Sequence, residues 1–321
     1  MVDMKALEVL QAGAFTTIQD LGRYRYQKYG VSISGAMDRF ALRVANLLVG
    51  NEEGEAAIEA TVVGPKLKAL QKLRVAFTGA DLSPAINGNP APMWRTLKIQ
   101  EGEVISFGPP KSGCRAYVAI AGGIDFPLVM GSRSIHTRSN LGGKGRALVK
   151  GDVLAVRESG KKRAEQSPYY QMTADQIPVY GGDWRVRVIL GPQRDYFTRR
   201  GIDTFLNSEY GITPQADRMG YRLQGPKIEH KTGADIFTDA TPPGSIQVPG
   251  DGMPIILLAD GQTTGGYSKI GVVTSVDQDL LAQAKPGDRV RFQRVTIHEA
   301  HGLLWEREKN IQAIPKTFLA L

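Results

Sequence analysis

The 321 residues exceed what one small core needs and fit about two domains. With 42% hydrophobic and 22% charged residues the chain has the composition of a folded globular protein, not a disordered one. The net charge of +8 comes from lysines and arginines spread along the chain without a recognition helix or RNA-binding signature, so it reads as a solvated basic surface and not a nucleic-acid face.

The longest apolar runs, such as 117–121 and 254–259, fall far short of the ~20 residues of a membrane helix. Asp3, Lys5 and Glu8 interrupt any secretory core at the start, so a cytoplasmic protein is expected.

The first predicted helix occupies residues 37–48. Met37, Phe40, Ala41, Val44, Leu47 and Leu48 recur with the 3.6-residue period, Ser34 is the expected N-cap, and Gly50 closes the run. Short β-branched runs bounded by Gly, Pro or Asp follow at 73–78, 104–108 and 116–121, as strands joined by tight turns. Trp94, between the first two, reads as a core anchor or an interface hot spot. Cys114, the single cysteine, reads as a buried structural thiol in a strand and has no partner for an internal disulfide, in keeping with a reducing compartment. The polar stretch 159–167, with Lys161, Lys162 and Arg163, reads as a linker and divides the chain into domains 1–165 and 166–321. Beyond it, strands at 186–190, 255–258 and 289–295 alternate with short helices at 277–284 and 298–309.

Sliding the halves against each other exposes a repeat. Residues 117–123 match 255–261 in hydrophobic pattern and terminal turn, 150–156 resemble 286–292, and 64–67 echo 225–228. Three matches in sequence order at so wide a spacing point to two related β domains, not to a solenoid.

Several mechanisms are struck out. Gly143-Lys144 is followed by Gly145, so there is no P-loop. His298 and His301 have a metal-like spacing without the further ligands zinc needs, and read as exposed helix histidines; no metal is expected. There is no Gly-x-Ser-x-Gly elbow and no Ala-Met-Lys-Met segment of the kind that carries biotin.

Five segments together carry a resemblance. They are 16–23 (Thr-Thr-Ile-Gln-Asp-Leu-Gly-Arg); 30–51 around Ser34-Gly35-Ala36-Met37-Asp38; 114–134 around Ala121-Gly122-Gly123-Ile124-Asp125 and Gly131-Ser132-Arg133-Ser134; 216–223 around Asp217-Arg218-Met219-Gly220; and 247–267, ending Asp260-Gly261-Gln262-Thr263-Thr264-Gly265-Gly266-Tyr267. In that order, from about Leu7 to about Ala300, the chain resembles the family of 5-oxoprolinase C subunits, also known as KipA-like or allophanate hydrolase subunit 2, of the biotin-dependent carboxyltransferases. It departs at Ala216, where Ser is usual, and at Ser268, where Pro is common; neither change removes a charge.

The resemblance implies a mainly β fold of two tandem cyclophilin-like β-barrel domains with few short helices. It implies two partners, a KipI-like protein and a LamB/YcsF-type protein, with ATP consumed in the complex at a site on or shared with a partner. The activity implied is cleavage of 5-oxo-L-proline to L-glutamate. The alternatives are a carboxyltransferase component of a urea carboxylase type of system, where biotin enters on another chain, and a KipA-type regulator that binds a KipI-like kinase inhibitor.

All these substrates contain a planar N–C=O unit whose oxygen gains charge or is captured by phosphate. Such a site needs preorganised donors and a carboxylate to manage protons, not an ordinary nucleophile. Asp38 and Asp217 are the catalytic candidates. Asp38 is alternatively a helix cap, and Asp217 alternatively half of a salt bridge with Arg218 that fixes a turn. Substrate-binding candidates are Gln19, Asp20 and Arg23 in a loop after the first strand; Ser34 and Gly35; Arg218, whose fork suits a carboxylate or phosphate; and Asp260, Gln262, Gly265, Gly266 and Tyr267 after a buried strand.

Overall fold

In this computed structural model residues 4–157, 168–182 and 184–320 are described, and the proposed linker at 159–167 lies outside them. The chain forms two compact units. The first comprises Met1–Arg23, Ser34–Tyr180 and Asn310–Leu321, and the second Tyr24–Ile33 and Gly181–Lys309.

Besides a two-stranded sheet, β13 (Tyr170–Gln171) with β23 (Leu319–Ala320), the first unit lays its strands in two large sheets. One runs in the order β11 (Ile124–Asp125), β12 (Val153–Val156), β1 (Met4–Gln11), β4 (Lys66–Ala69), β9 (Val104–Phe107), β6 (Pro84–Ile86), β7 (Asn89–Pro90). The other runs β2 (Phe15–Gln19), β3 (Ala57–Thr61), β10 (Ser112–Ile120), β5 (Leu73–Asp81), β8 (Thr96–Ile99). Strand β10 pairs antiparallel with both β3 and β5 and is buried from Cys114 onward, which is why its sequence is a continuous apolar run and not an alternation. Ile18, Ile58, Leu67, Phe77 and Val118 are wholly buried in the core between the sheets, each contributing about 1.5–3 kcal/mol.

Helix α1 (Arg39–Leu48) packs on β5 and β10, its carbonyls at Ala41 and Leu48 accepting from the hydroxyls of Thr78 and Thr96. Its N-cap is Asp38, not the expected Ser34. Ser34 sits at φ +57, outside the extended region a cap requires, whereas Asp38 is extended and accepts from the Ala41 N–H at 2.9 Å.

The second unit is a closed barrel in the order β14 (Trp184–Leu190), β21 (Lys269–Val273), β18 (Ser245–Gln247), β19 (Ile255–Leu257), β16 (Gly220–Gln224), β15 (Glu209–Ile212), β22 (Arg289–Arg294). It closes through the parallel pair β14 and β22. A two-stranded ribbon, β17 (Asp235–Ala240) with β20 (Thr264–Tyr267), lies outside the barrel order. Helix α2 (Arg199–Asn207), absent from the sequence-based expectation, is capped by Thr198 and stacks Phe205 on Phe292 of β22 at 4.4 Å between ring centroids. Gly201 obscured it; a Cβ there would overlap the Glu229 carbonyl, so close packing demands the residue that weakens the helical signal.

Helix α3 (Ser275–Leu281) matches expectation, while α4 (Ile297–Thr317) runs 21 residues and so is longer than the short helix expected at 298–309. His298 and His301 are exposed on it, as expected. No described helix is long and apolar enough to cross a membrane.

The architecture is therefore mainly β with four described helices, as expected. Two arms of the repeat fall in strands of both units, 117–120 with 255–257 and 153–156 with 289–292. The third does not: Lys66–Ala69 is a strand, but 225–228 form a turn and coil. Cys114 is buried and reduced in β10, as its sequence context predicts. Trp94 is a core residue, 5% exposed, with its ring 6.4 Å from that of Phe40.

Candidate functional site

The candidate residues fall into two groups, one in each unit. In the first, strand β2 ends in a polar knot with the 132–136 loop. Asp20 accepts from the hydroxyls of Ser132 and Ser134, both at 2.6 Å, and from the N–H groups of Gly22 and Arg133 at 2.8 and 2.6 Å. Arg23 is wholly buried and donates to the Ser134 carbonyl. Gln19 and Ser34 both donate to the Ile135 carbonyl, at 2.9 and 3.3 Å, and Gln19 Oε1 is buried without a donor among the described residues. Gly35, at φ +88, packs so tightly on the Gly22 backbone that a Cβ would approach it to 2.8 Å. These residues therefore meet, and the contacts they make brace three separate stretches of chain.

Asp38 is 1% exposed and belongs to a buried network. Besides capping α1 it accepts from the Tyr180 hydroxyl at 2.8 Å, while its own N–H donates to the Tyr117 hydroxyl at 2.8 Å. Tyr117 in turn donates to Glu59 at 2.7 Å, and Glu59 also accepts from the Met37 N–H at 2.9 Å. Burial, reinforced by the charges of Glu59 and Asp38, pushes the Tyr117 phenol well above its ordinary value, so it stays a neutral donor. Tyr180 also lines a cleft of about 570 Å³ with Trp94, Met93, Pro92, Asp81 and Lys111. Two of its lining residues, Ser83 and Trp94, have left-handed backbones at φ +50 and +58, strain of a kind that clusters at ligand sites. Sequence reasoning missed Glu59, Tyr117 and Tyr180, because their only signal was a polar residue in an apolar strand or a tyrosine near a domain edge.

Asp217 and Arg218 lie in the second unit. Asp217 is half-buried, and its Oδ1 holds the N–H groups of Met219 and Gly220 at 2.8 and 3.2 Å, fixing the turn into β16. The ion pair of Arg218 is with Asp260: two parallel bonds of 2.8 and 3.0 Å, both side chains buried, tie this turn to the end of β19. Arg218 thus reaches a carboxylate 42 residues away, a link that sequence adjacency cannot reveal.

Gln262 donates to Gln247 at 3.3 Å, and its carbonyl accepts from Thr241 at 2.6 Å. Gly265 lies against the Gln247 amide so closely that a Cβ would overlap it, and Gly266 and the 42%-exposed Tyr267 continue the ribbon. Gln247 and Lys269, which face each other across β18 and β21, are buried polar residues of this group that the sequence analysis did not single out.

The chain is similar to known proteins along most of its length. The family model described as carboxyltransferase domain, subdomain A and B, matches residues 29–294. The chain is 36% identical over 295 residues to the C subunit of the Escherichia coli 5-oxoprolinase, spanning 92% of this chain and 93% of that one. It is 34% identical over 305 residues to the C subunit of the Haemophilus influenzae 5-oxoprolinase, spanning 95% of each. The crystal structure of the K. lactis urea amidolyase superposes with a TM-score of 0.90 at 31% identity, over 98% of this chain but 20% of that chain. The chain belongs to the carboxyltransferase domain, subdomain A and B, family, together with these 5-oxoprolinase C subunits.

Proposed function

We propose that this chain is the C subunit of an ATP-dependent 5-oxoprolinase complex that hydrolyses 5-oxo-L-proline to L-glutamate, with a KipI-like and a LamB/YcsF-type protein as its two partners, in the cytoplasm. The observation that carries the reading is similarity to two 5-oxoprolinase C subunits, 36% and 34% identical along nearly all of their length. Identity to the urea amidolyases is lower, 31% and 32%.

Lining chemistry supports a division of labour. The cleft of the first unit has Lys111 as its one cation among the described residues, set among prolines, Met93 and Trp94, and this does not fit a triphosphate, which needs several converging donors. No phosphoryl-transfer step is therefore assigned to that cleft, and ATP is handled elsewhere in the complex. The contribution of this chain is to hold and orient the amide substrate and to manage protons as the ring opens, with Asp217 as the carboxylate and Gln262, Gly265 and Gly266 as substrate contacts. Asp38 is the second carboxylate candidate, and its bond from the Tyr180 hydroxyl supports a positioning role as well.

The second reading, carboxyl transfer between biotin and a urea-like acceptor, is favoured by one observation, the 0.90 TM-score to a urea amidolyase. Reconstitution with the two partner proteins decides between them. Glutamate released from 5-oxoproline only when ATP is present is the expected result; ATP-dependent carboxylation of urea with a biotin carrier, and no glutamate, would turn the assignment to the second reading.

A further inference from the structure

Strand β21 buries a lysine. The Lys269 side chain is 4% exposed, and its ammonium meets Asp239 Oδ2 at 2.7 Å. Asp239 is not a core residue: it sits on the exposed ribbon strand β17, its side chain is 49% exposed, and the ribbon register shifts between it and Asp235. Gln193 donates to the same carboxylate oxygen at 3.3 Å, while its Oε1 accepts from the Lys269 N–H at 3.3 Å. The ammonium, reinforced by the N–H of Ala240, holds the Asp239 carboxyl below the ordinary carboxylate range.

Directly across the barrel ladder, Gln247 is 2% exposed and its Nε2 finds no acceptor among the described residues. A buried N–H without an acceptor is costly and marks a place where an oxygen is missing. A Cβ on Gly265 would overlap that nitrogen, so the glycine leaves it uncrowded on that side. Above it, Gln262 is exposed and holds Gln247 by a long 3.3 Å bond.

We propose that Lys269, Gln193 and Gln247 form a seat for a small carboxylic acid that also carries a planar N–C=O group, and that Asp239 is the placeholder carboxylate that occupies it until such a ligand arrives. The ligand carboxylate takes the ammonium and the Gln193 amide, and its carbonyl oxygen accepts from Gln247 Nε2. A buried ammonium is strongly unfavourable without a counter-charge, so the seat is held by one carboxylate or another. Asp239, being half-exposed, is rehydrated at little cost when displaced. The exchange swaps like charge for like charge and satisfies one donor that the ligand-free protein leaves over. Naming cyclic-amide acids such as 5-oxoproline as the class rests on the proposed function; the seat itself does not.

The test is a gain of affinity. The full chain, alone and in the reconstituted complex, is titrated with 5-oxo-L-proline, 2-pyrrolidinone and urea. Asp239→Asn, on the exposed ribbon, removes the competing carboxylate and is expected to tighten 5-oxoproline binding about tenfold or more, because the vacant seat becomes the dominant state. It is expected to leave 2-pyrrolidinone and urea, which have no carboxylate, unchanged. Lys269→Met is expected to weaken 5-oxoproline binding at least about tenfold; should it fail to fold, Asp239→Asn still decides. Unchanged or weaker 5-oxoproline binding in Asp239→Asn overturns the seat, as does no binding in either preparation. Tightening without glutamate formation keeps the seat and removes the oxoprolinase reading, whereas glutamate formation without tightening does the reverse.

Discussion

Among single residues, most of the charged candidates serve two needs at once. Asp217 shows this most simply: its Oδ1 holds two backbone N–H groups, a task an asparagine performs equally well, while its charge suits proton management or substrate orientation. Asp217→Asn is therefore expected to keep the fold and the assembly and to lower turnover in the reconstituted complex by about 10²–10⁴-fold. Turnover and thermal melting measured on the same preparation check it; near-normal turnover assigns Asp217 to the turn alone. The sequence made Asp217 visible as a loop carboxylate beside an arginine. It did not reveal that Arg218 is committed to Asp260, because that pair joins two strand ends which only the barrel brings together.

Among the elements, α1 depends on Asp38 in a way the helical period alone did not predict. The period placed the helix to within two residues at its start: Ala41, Val44 and Leu48 of the periodic set are buried and Phe40 and Leu47 half-buried. The cap moved from Ser34 to Asp38 because the 34–38 segment is bent left-handed at Ser34 and Gly35 to pack on the backbone of Gly22. Asp38→Ala is expected to cost about 2–4 kcal/mol, from the lost cap and the acceptor removed from the buried Tyr180 hydroxyl. Asp38→Asn, which keeps an acceptor for Ala41, is expected to cost about 1 kcal/mol. Urea unfolding of the two variants measures the difference. If Asp38→Asn melts like the parent yet the complex loses turnover, Asp38 is catalytic and not merely positioning.

For the molecule as a whole, the two units are not consecutive halves of the chain. Residues 24–33 belong with the barrel unit, and Asn310–Leu321 with the first unit. The C-terminal stretch is held there by Ile311 and Ile314, both buried, by pairing of Tyr170–Gln171 with Leu319–Ala320, and by the rings of Tyr170 and Phe318 at 5.0 Å. A chain ending at Lys309 is expected to destabilise the first unit by about 3–6 kcal/mol, the burial of two isoleucines. Hydrogen exchange should then quicken in β5 and β10 and leave the barrel strands β14 and β22 protected. Equal loss in both units would show that they unfold together.

Local pattern was enough to mark six of the strands, because burial on both faces writes apolar runs such as 116–120 and turns write glycines at their ends, while shorter or more polar strands such as β4 and β16 left no such run. It also specified the family, through five ordered segments. Helix α2 left no such mark, because Gly201 answers to the Glu229 carbonyl and not to helix propensity. Nor did Lys269, whose burial depends on a ribbon carboxylate 30 residues away. Which polar residues share a seat was set by the folded arrangement, because hydrogen bonds and ion pairs depend on distances in space that a linear pattern does not encode.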